Sequence, residues 1–220
     1  MKTQILGVKI DDIKMDEALD QIVEWLSKKG KHYIVTPNPE ILMAAQKDKV
    51  YRKILNNADL AIPDGAGLRF SGKIKNTFAG TDFMEKLVEL AHEKGFTTGF
   101  LGGKDEVANK CTECLLQKYP KLKIALISSD PEVKIPPMDL LFVALGHGKQ
   151  EKWIADNLDK VPVHIAMGVG GAFDYLSGNV PRAPRWMRGL GLEWLFRLVV
   201  QPWRIKRQVA LIRYLWLIAS

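Results

Sequence analysis

A mostly parallel α/β fold, with helices on both faces of its sheet, is what this sequence predicts, and three observations carry that expectation. In residues 33–65 the apolar run Tyr33-Ile34-Val35 stops at Thr36-Pro37-Asn38-Pro39-Glu40, and Leu60-Ala61-Ile62 stops at Pro63-Asp64-Gly65. Between them Ile41, Leu42, Ala44, Ala45, Val50, Ile54 and Leu55 recur at helical spacing. A right-handed crossover between two such strands makes them parallel and sets both ends on one edge of the sheet. The alternation resumes with strands at 97–101, 123–128, 140–145 and 163–169. Their ends carry Gly102-Gly103, Gly146-His147-Gly148 and Gly168-Val169-Gly170-Gly171, the tight βα turns of a Rossmann-like sheet.

Taken in order, residues 4–10 read as a short strand or hairpin arm, and 15–29 as an amphipathic helix with Ala18, Ile22, Val23 and Leu26 on one face. After the central unit a short helix at 66–70 leads through a basic loop to Phe78-Ala79-Gly80-Thr81-Asp82, and a helix then runs to about residue 94, closed by Gly95. Helices follow at 105–119, from the turn at 146–151 on to Asn157, and from Ala172 onward. Residues 129–138 contain three prolines (Pro131, Pro136, Pro137) and are too short and broken for a crossover helix, so an extended link is expected there.

At 220 residues the chain can bury one substantial core. Its charge is uneven. From residue 181 onward eight basic residues (Arg182, Arg185, Arg188, Arg197, Arg204, Lys206, Arg207, Arg213) face one acid, Glu193, so this segment carries the whole net charge of +7. Four of the six tryptophans share it (Trp186, Trp194, Trp203, Trp216). The apolar runs 190–200 and 209–219 are too short to span a bilayer, which takes about 20 residues, but suit amphipathic helices lying in an anionic headgroup layer. A pair of core helices with solvated arginines is the other reading. The division expected is a body over 1–189 and a basic amphipathic, membrane-associating appendage over 190–220.

Several chemistries are disfavoured. Gly168-Val169-Gly170-Gly171 lacks the third glycine of a dinucleotide fingerprint, and Gly103-Lys104 is followed by Asp105 rather than Ser or Thr, so it is no P-loop. Cys111 and Cys114 form a C-x-x-C inside a helical pattern, away from the helix start where a redox pair gains its low thiol pKa. The four histidines lack metal-ligand spacing and no Asp-x-Asp pair is present, so neither a metal nor a cofactor is expected. Two cysteines, and no apolar signal segment ahead of Gln4-Ile5-Leu6, point to a reducing, cytoplasmic setting.

The crossover makes Thr36, Asn38 and Asp64 neighbours at one rim, where ligands of open α/β sheets bind. Either these are ordinary Pro-Asn-Pro and Pro-Asp-Gly turns, or a hydroxyl, an amide and a carboxylate meet in a reaction centre. The glycine-rich ends followed by helix starts suit a nucleotide or phosphate.

Thr36-Pro37-Asn38-Pro39-Glu40, Pro63-Asp64-Gly65, Ala79-Gly80-x-Asp82, Lys149-Gln150-Glu151, Gly168-Val169-Gly170-Gly171-x-Phe173-Asp174, Arg182-Ala183-Pro184, and Gly191-Leu192-Glu193-Trp194-Leu195-Phe196-Arg197 with Pro202-Trp203-Arg204 together resemble the WecG/TagA/CpsF glycosyltransferase family over nearly the whole chain. The resemblance implies an inverting, metal-independent transfer of an N-acetylmannosamine-type sugar. The donor would be a UDP-sugar, and the acceptor polyprenyl-diphosphate-linked N-acetylglucosamine, at the inner face of a bacterial membrane, in teichoic acid or other surface-polymer synthesis. By the same resemblance Asp64 is the general base, with Thr36, Asn38 and Gln150 beside it. Gly170, Gly171, Asp174 and Lys149 hold the donor nucleotide, and Arg197, Arg204 and Arg207 meet diphosphates at the membrane. Thr77 stands where the family usually has an arginine, and Gly148 where Gly-x-Pro-Lys-Gln-Glu is common, which leaves the donor sugar open. The alternative class is a nucleotide- or RNA-binding module gripping phosphates with its tail, which has no need for Asp64 at a strand end. A homo-oligomer stays open on sequence.

Overall fold

The computed structural model describes residues 2–104, 106–202 and 205–219, and at 185 and 206–208 the backbone alone. The chain opens with an antiparallel hairpin, β1 (Lys2–Ile5) and β2 (Val8–Asp11). Its last carboxylate docks it: Asp11 Oδ2 accepts from the backbone N–H of Ala61 at 2.9 Å. After α1 (Met15–Ser27) and β3 (His32–Val35), the stretch expected to be one helix forms two, α2 (Pro39–Lys47) and α3 (Lys49–Asn56). Asp48 makes the break. It is extended, ends α2 and caps α3 by accepting from Tyr51 N at 2.9 Å, the competition with helix that short acidic side chains offer. The apolar period carries across the break, so periodicity alone did not reveal it.

β4 (Leu60–Ala61) is followed by a 3₁₀ turn (Ala66–Ser71), α4 (Gly80–Lys94), β5 (Thr97–Gly102), α5 (Val107–Lys118) and β6 (Lys123–Ser128). The link to β7 (Met138–Ala144) contains no helix, as its prolines require. α6 (Lys149–Asn157), β8 (Val163–Gly168) and α7 (Ala172–Leu176) complete the sheet and its cover. Three further α-helices follow among the described residues: α8 (Arg185–Gly189), α9 (Glu193–Val200) and α10 (Ile205–Ala219).

The six-stranded sheet is parallel throughout, in the order β4-β3-β8-β7-β5-β6. Alternate residues feed opposite faces, because the side-chain period of a strand is two. Ile34, Leu60, Phe100, Phe142 and Met167 pack with α1, α4, α5 and α7, whereas Val35 and Ala61 pack with α2 and α3, and Leu101, Val143 and Ala166 with α6. β3 and β8 are neighbours, yet the helix after β3 covers one face and the helix after β8 covers the other. Their connections diverge and leave a crevice, the switch point where open α/β sheets take ligands.

The terminal helix is not a free appendage. Tyr214 is completely buried, in one cluster with Leu42, Tyr51 and Leu68, and Leu211, Leu215 and Ile218 pack against it. Its opposite side, with Ile205, Val209, Ile212 and Trp216, is exposed. No helix among the described residues is long and apolar enough to cross a membrane.

Candidate active site

β3 and β4 run on side by side past their last ladder residues. Ile62 N donates to Val35 O at 3.0 Å and Asp64 N to Pro37 O at 3.1 Å, so backbone bonds alone carry Thr36, Asn38 and Asp64 to the same rim. Asn38 is the N-cap of α2, its Oδ1 accepting from Ile41 N at 3.0 Å, with Pro39 in the first turn where its missing N–H costs nothing. Its side-chain amide is left to hydrogen-bond the Asp64 carboxylate. The second donor comes from α4, whose Gly80 N–H points at Asp64 Oδ1 at 3.1 Å. Buried Thr36 packs beneath that contact, and a Cβ on Gly80 would lie 3.1 Å from its Cγ2.

Burial pushes the Asp64 carboxyl up to about 6, from an ordinary value of 3.8. The bonds from Gly80 and Asn38 pull the other way, Glu193 adds to the rise and Arg197 opposes it. Desolvation wins because it taxes only the charged form. A carboxylate so tuned is ionised at neutral pH and basic enough to take a proton from a reacting hydroxyl.

Across the crevice, Gln150 sits in the first turn of α6 and is buried. Its Oε1 accepts from Gly170 N at 3.0 Å and its Nε2 donates to Glu151 Oε1 at 2.8 Å, while Glu151 Oε2 accepts from Gly148 N at 2.6 Å. Gln150 thus pins the β8–α7 loop, in which Gly170 adopts φ +54°. Glu151 caps its own helix, a role that its place after Lys149-Gln150 could have signalled. Lys149 is exposed at the start of α6. At Gly171 a Cβ would lie 2.9 Å from Arg197 Nη2 and 3.6 Å from Asp174 Oδ2, so the guanidinium lies against the loop here. Arg197 lies over the Tyr175 ring, Cζ 4.8 Å from its centroid.

Sequence reasoning missed how Arg197 is held. Arg182 Nη1 donates to Asp82 Oδ1 at 2.6 Å and its Nε to Glu193 Oε1 at 3.5 Å, and Arg188 Nη1 meets the same Asp82 carboxylate at 3.3 Å. Asp82 is in the first turn of α4 with Gly80, and Glu193 begins α9, one turn before Arg197. The signal was the company these residues keep in the sequence, but Arg182 and Asp82 lie 100 residues apart and nothing local pairs them. Nitrogens of Arg182 (Nη2), Arg188 (Nε) and Arg197 (Nε) are buried there without a hydrogen-bond partner. Arg204 lies outside the described residues and Arg207 is described by its backbone only.

Three other residues fall away from the crevice. Burial pushes the Cys111 thiol up to about 12, with Cys114 and Asp174 adding to the rise, the reverse of what redox or metal chemistry needs. Cys114 lies beside it, Sγ 3.9 Å from Ser177 O. His147 is an exposed loop residue whose ring lies 6.1 Å from that of Tyr51. Two open concavities, of about 530 and 690 Å³, lie at the amino ends of the strands and along the proline-rich link, and neither includes a residue of the crevice.

Fold and site define a class: a parallel α/β enzyme with a basic carboxylate facing a glycine-rich, arginine-lined loop at its switch point. The chain belongs to the glycosyl transferase WecG/TagA/CpsF family, which it matches over residues 3–220. It is similar to the N-acetylglucosaminyldiphosphoundecaprenol N-acetyl-beta-D-mannosaminyltransferase of Bacillus subtilis strain 168, at 34% identity over 89% of this chain and 84% of that protein. The protein of the same name from Staphylococcus aureus strain NCTC 8325 / PS 47 is 30% identical over 100% of this chain and 92% of its own length. Sugar transfer, rather than RNA binding, is therefore the class of activity.

Proposed function

We propose that this enzyme moves an N-acetylmannosamine-type sugar from a UDP donor to polyprenyl-diphosphate-linked N-acetylglucosamine, inverting the anomeric centre without a metal, in the synthesis of teichoic acid or a related surface polymer. The names of its relatives support the sugar and the acceptor. The observation that carries the mechanism is Asp64, held at the rim by Asn38 and Gly80 with its carboxyl raised to about 6. The acceptor's 4-hydroxyl attacks the donor's anomeric carbon, its proton passes to Asp64, and the bond from that carbon to the UDP oxygen breaks. Asn38 fixes the carboxylate directly, and Thr36 packs beneath the Gly80 that donates to it.

The departing UDP carries the developing charge. The glycine loop of Gly170 and Gly171 borders it, and Gln150 holds that loop in place through the Gly170 N–H. Arg197 reaches the loop while its charge is felt at Asp64, and its unpartnered Nε, with Arg182 Nη2 and Arg188 Nε, suits phosphate oxygens. Asp174 and Lys149 complete the donor side, and Arg204 and Arg207 are assigned to the acceptor diphosphate.

The chain divides functionally into a catalytic body, 1–189, and a lipid-facing segment, 190–220, seated on the body through Tyr214. The exposed stripe of α10, with Trp194 and Val199 of α9, supports peripheral attachment to the anionic inner face of the membrane, where a polyprenyl acceptor resides. The test is transfer from UDP-N-acetylmannosamine to a lipid-diphosphate-N-acetylglucosamine acceptor by the wild type and by Asp64→Asn. Transfer by the wild type alone is expected, and equal turnover by the variant would remove Asp64 from the mechanism.

A further inference from the structure

The 3₁₀ turn Ala66–Ser71 starts two residues after Asp64 and takes part in none of the chemistry above. The C-terminal segments grip it from both sides. A Cβ on Gly191, in the turn between α8 and α9, would lie 2.6 Å from Ala66 Cβ, and one on Gly67 would lie 3.5 Å from Leu211 of α10. Leu68 is buried in the same cluster as Tyr214. Between these contacts the turn leaves Arg69 and Phe70 exposed, Phe70 at 70%.

The segments that touch this turn also carry uncovered apolar side chains. Leu190, 69% exposed, precedes the Gly191 that lies against Ala66. α10, which meets the turn through Leu211, turns outward Ile205, Val209, Ile212 and Trp216, whose spacing of four, three and four residues makes a single helical stripe. The cations nearest the strip are Arg69, exposed in the turn, and Arg213, exposed on α10, while Glu193 is taken up by Arg182 and Asp12 by the backbone of Lys75 and Asn76 further along the loop. An apolar strip with Arg69 and Arg213 beside it complements the headgroup and upper acyl layer of an anionic bilayer.

We propose that Arg69 and Phe70 of the catalytic body join Leu190 and the outer stripe of α10 in one continuous docking surface for an anionic phospholipid bilayer. The body then enters the headgroup layer beside the tail, and only Gly65 separates Asp64 from the turn that makes the contact. The inference rests on the membrane reading above and adds to it a residue pair outside 190–220.

Full-length wild type, Phe70→Asp, Arg69→Ala and Trp216→Ala are co-sedimented with vesicles of phosphatidylglycerol mixed with phosphatidylcholine, and of phosphatidylcholine alone. Phe70→Asp should lower partition to the mixed vesicles about tenfold, the loss of one interfacial aromatic. Arg69→Ala should lower it about fivefold and leave binding to phosphatidylcholine unchanged, as loss of one cation near a charged surface requires. All variants should keep wild-type turnover on a short-chain, water-soluble acceptor, which shows that they fold. If Phe70→Asp and Arg69→Ala bind like the wild type while Trp216→Ala does not, the proposal is overturned and the tail reading survives. If the wild type ignores both vesicles, the membrane reading falls and takes the proposal with it. If sedimentation shows instead a dimer that Phe70→Asp dissolves, the surface belongs to a second copy of the chain and the proposal is wrong.

Discussion

Asp64 and Arg197 meet at the same crevice but reach it on different anchors. Asp64 is carried there by backbone: its own N–H on Pro37 O, the N–H of Gly80 on its carboxylate, and the ladder that joins β3 to β4. Arg197 rides on α9, a helix in which no residue is buried, and reaches the site through side-chain ion pairs of Arg182 and Arg188 with Asp82 and of Arg182 with Glu193. Backbone bonds inside a sheet are shielded from salt, whereas partly exposed ion pairs are screened by it. The proposed base is thus a fixed feature of the fold, and the arginine is held by contacts that other charges can replace.

The comparison is tested hardest by removing the fixed member. Asp64→Asn should lower turnover by about 10² to 10⁴, the usual worth of a general base, and leave UDP binding intact by calorimetry. The sign of its pKa shift adds a stability outcome. A carboxyl raised from 3.8 to about 6 favours the folded state below its ordinary value, and that contribution is lost as pH rises through 6. Above that range Asp64→Asn removes a buried charge, so at pH 8 its melting temperature should equal or exceed that of the wild type. Arg197→Ala should cost about ten- to a hundredfold in kcat, as loss of one charge-assisted contact does, with a smaller effect on folding because α9 buries nothing.

Loosening the clasp should do less. Asp82→Asn keeps the shape and removes the charge shared by Arg182 and Arg188, so turnover should fall about threefold to tenfold and become less sensitive to salt than in the wild type. An unchanged salt profile would show that the ion pairs do not hold Arg197. The smallest effect is expected from EDTA, which should leave turnover unaltered, since Arg197 reaches the glycine loop and among the described residues no cluster of side chains suits a metal ion. Loss of activity restored by magnesium would show that a cation shares the work.

The same contrast governs what could be read in the sequence. Asn38 and Asp64 were legible because strand, turn and helix signals are local: a β-run stops, Pro39 opens a helix, and the crossover rule does the rest. The break at Asp48 was not, because the apolar period continues through it and only the cap to Tyr51 reveals it. The Asp82 clasp was illegible for a stronger reason, since its partners are joined only by the fold. In α10 both sides are apolar, so the period could not tell Tyr214, which enters the core, from Trp216, which faces out. Gly80 left no trace as a donor to Asp64 because a backbone N–H has no residue type.

The measurement closest to the central claim is the pH dependence of kcat/KM for the full-length enzyme between pH 4.5 and 8, in the wild type and in Asp64→Asn. With Asp64 as the base and its carboxyl near 6, the wild-type rate should climb tenfold per pH unit on the acid side and level off above about pH 6. The residual rate of the variant should lack that step. A wild-type profile that is flat through this range, or a variant that keeps the same step, would place the proton on another group and contradict the account.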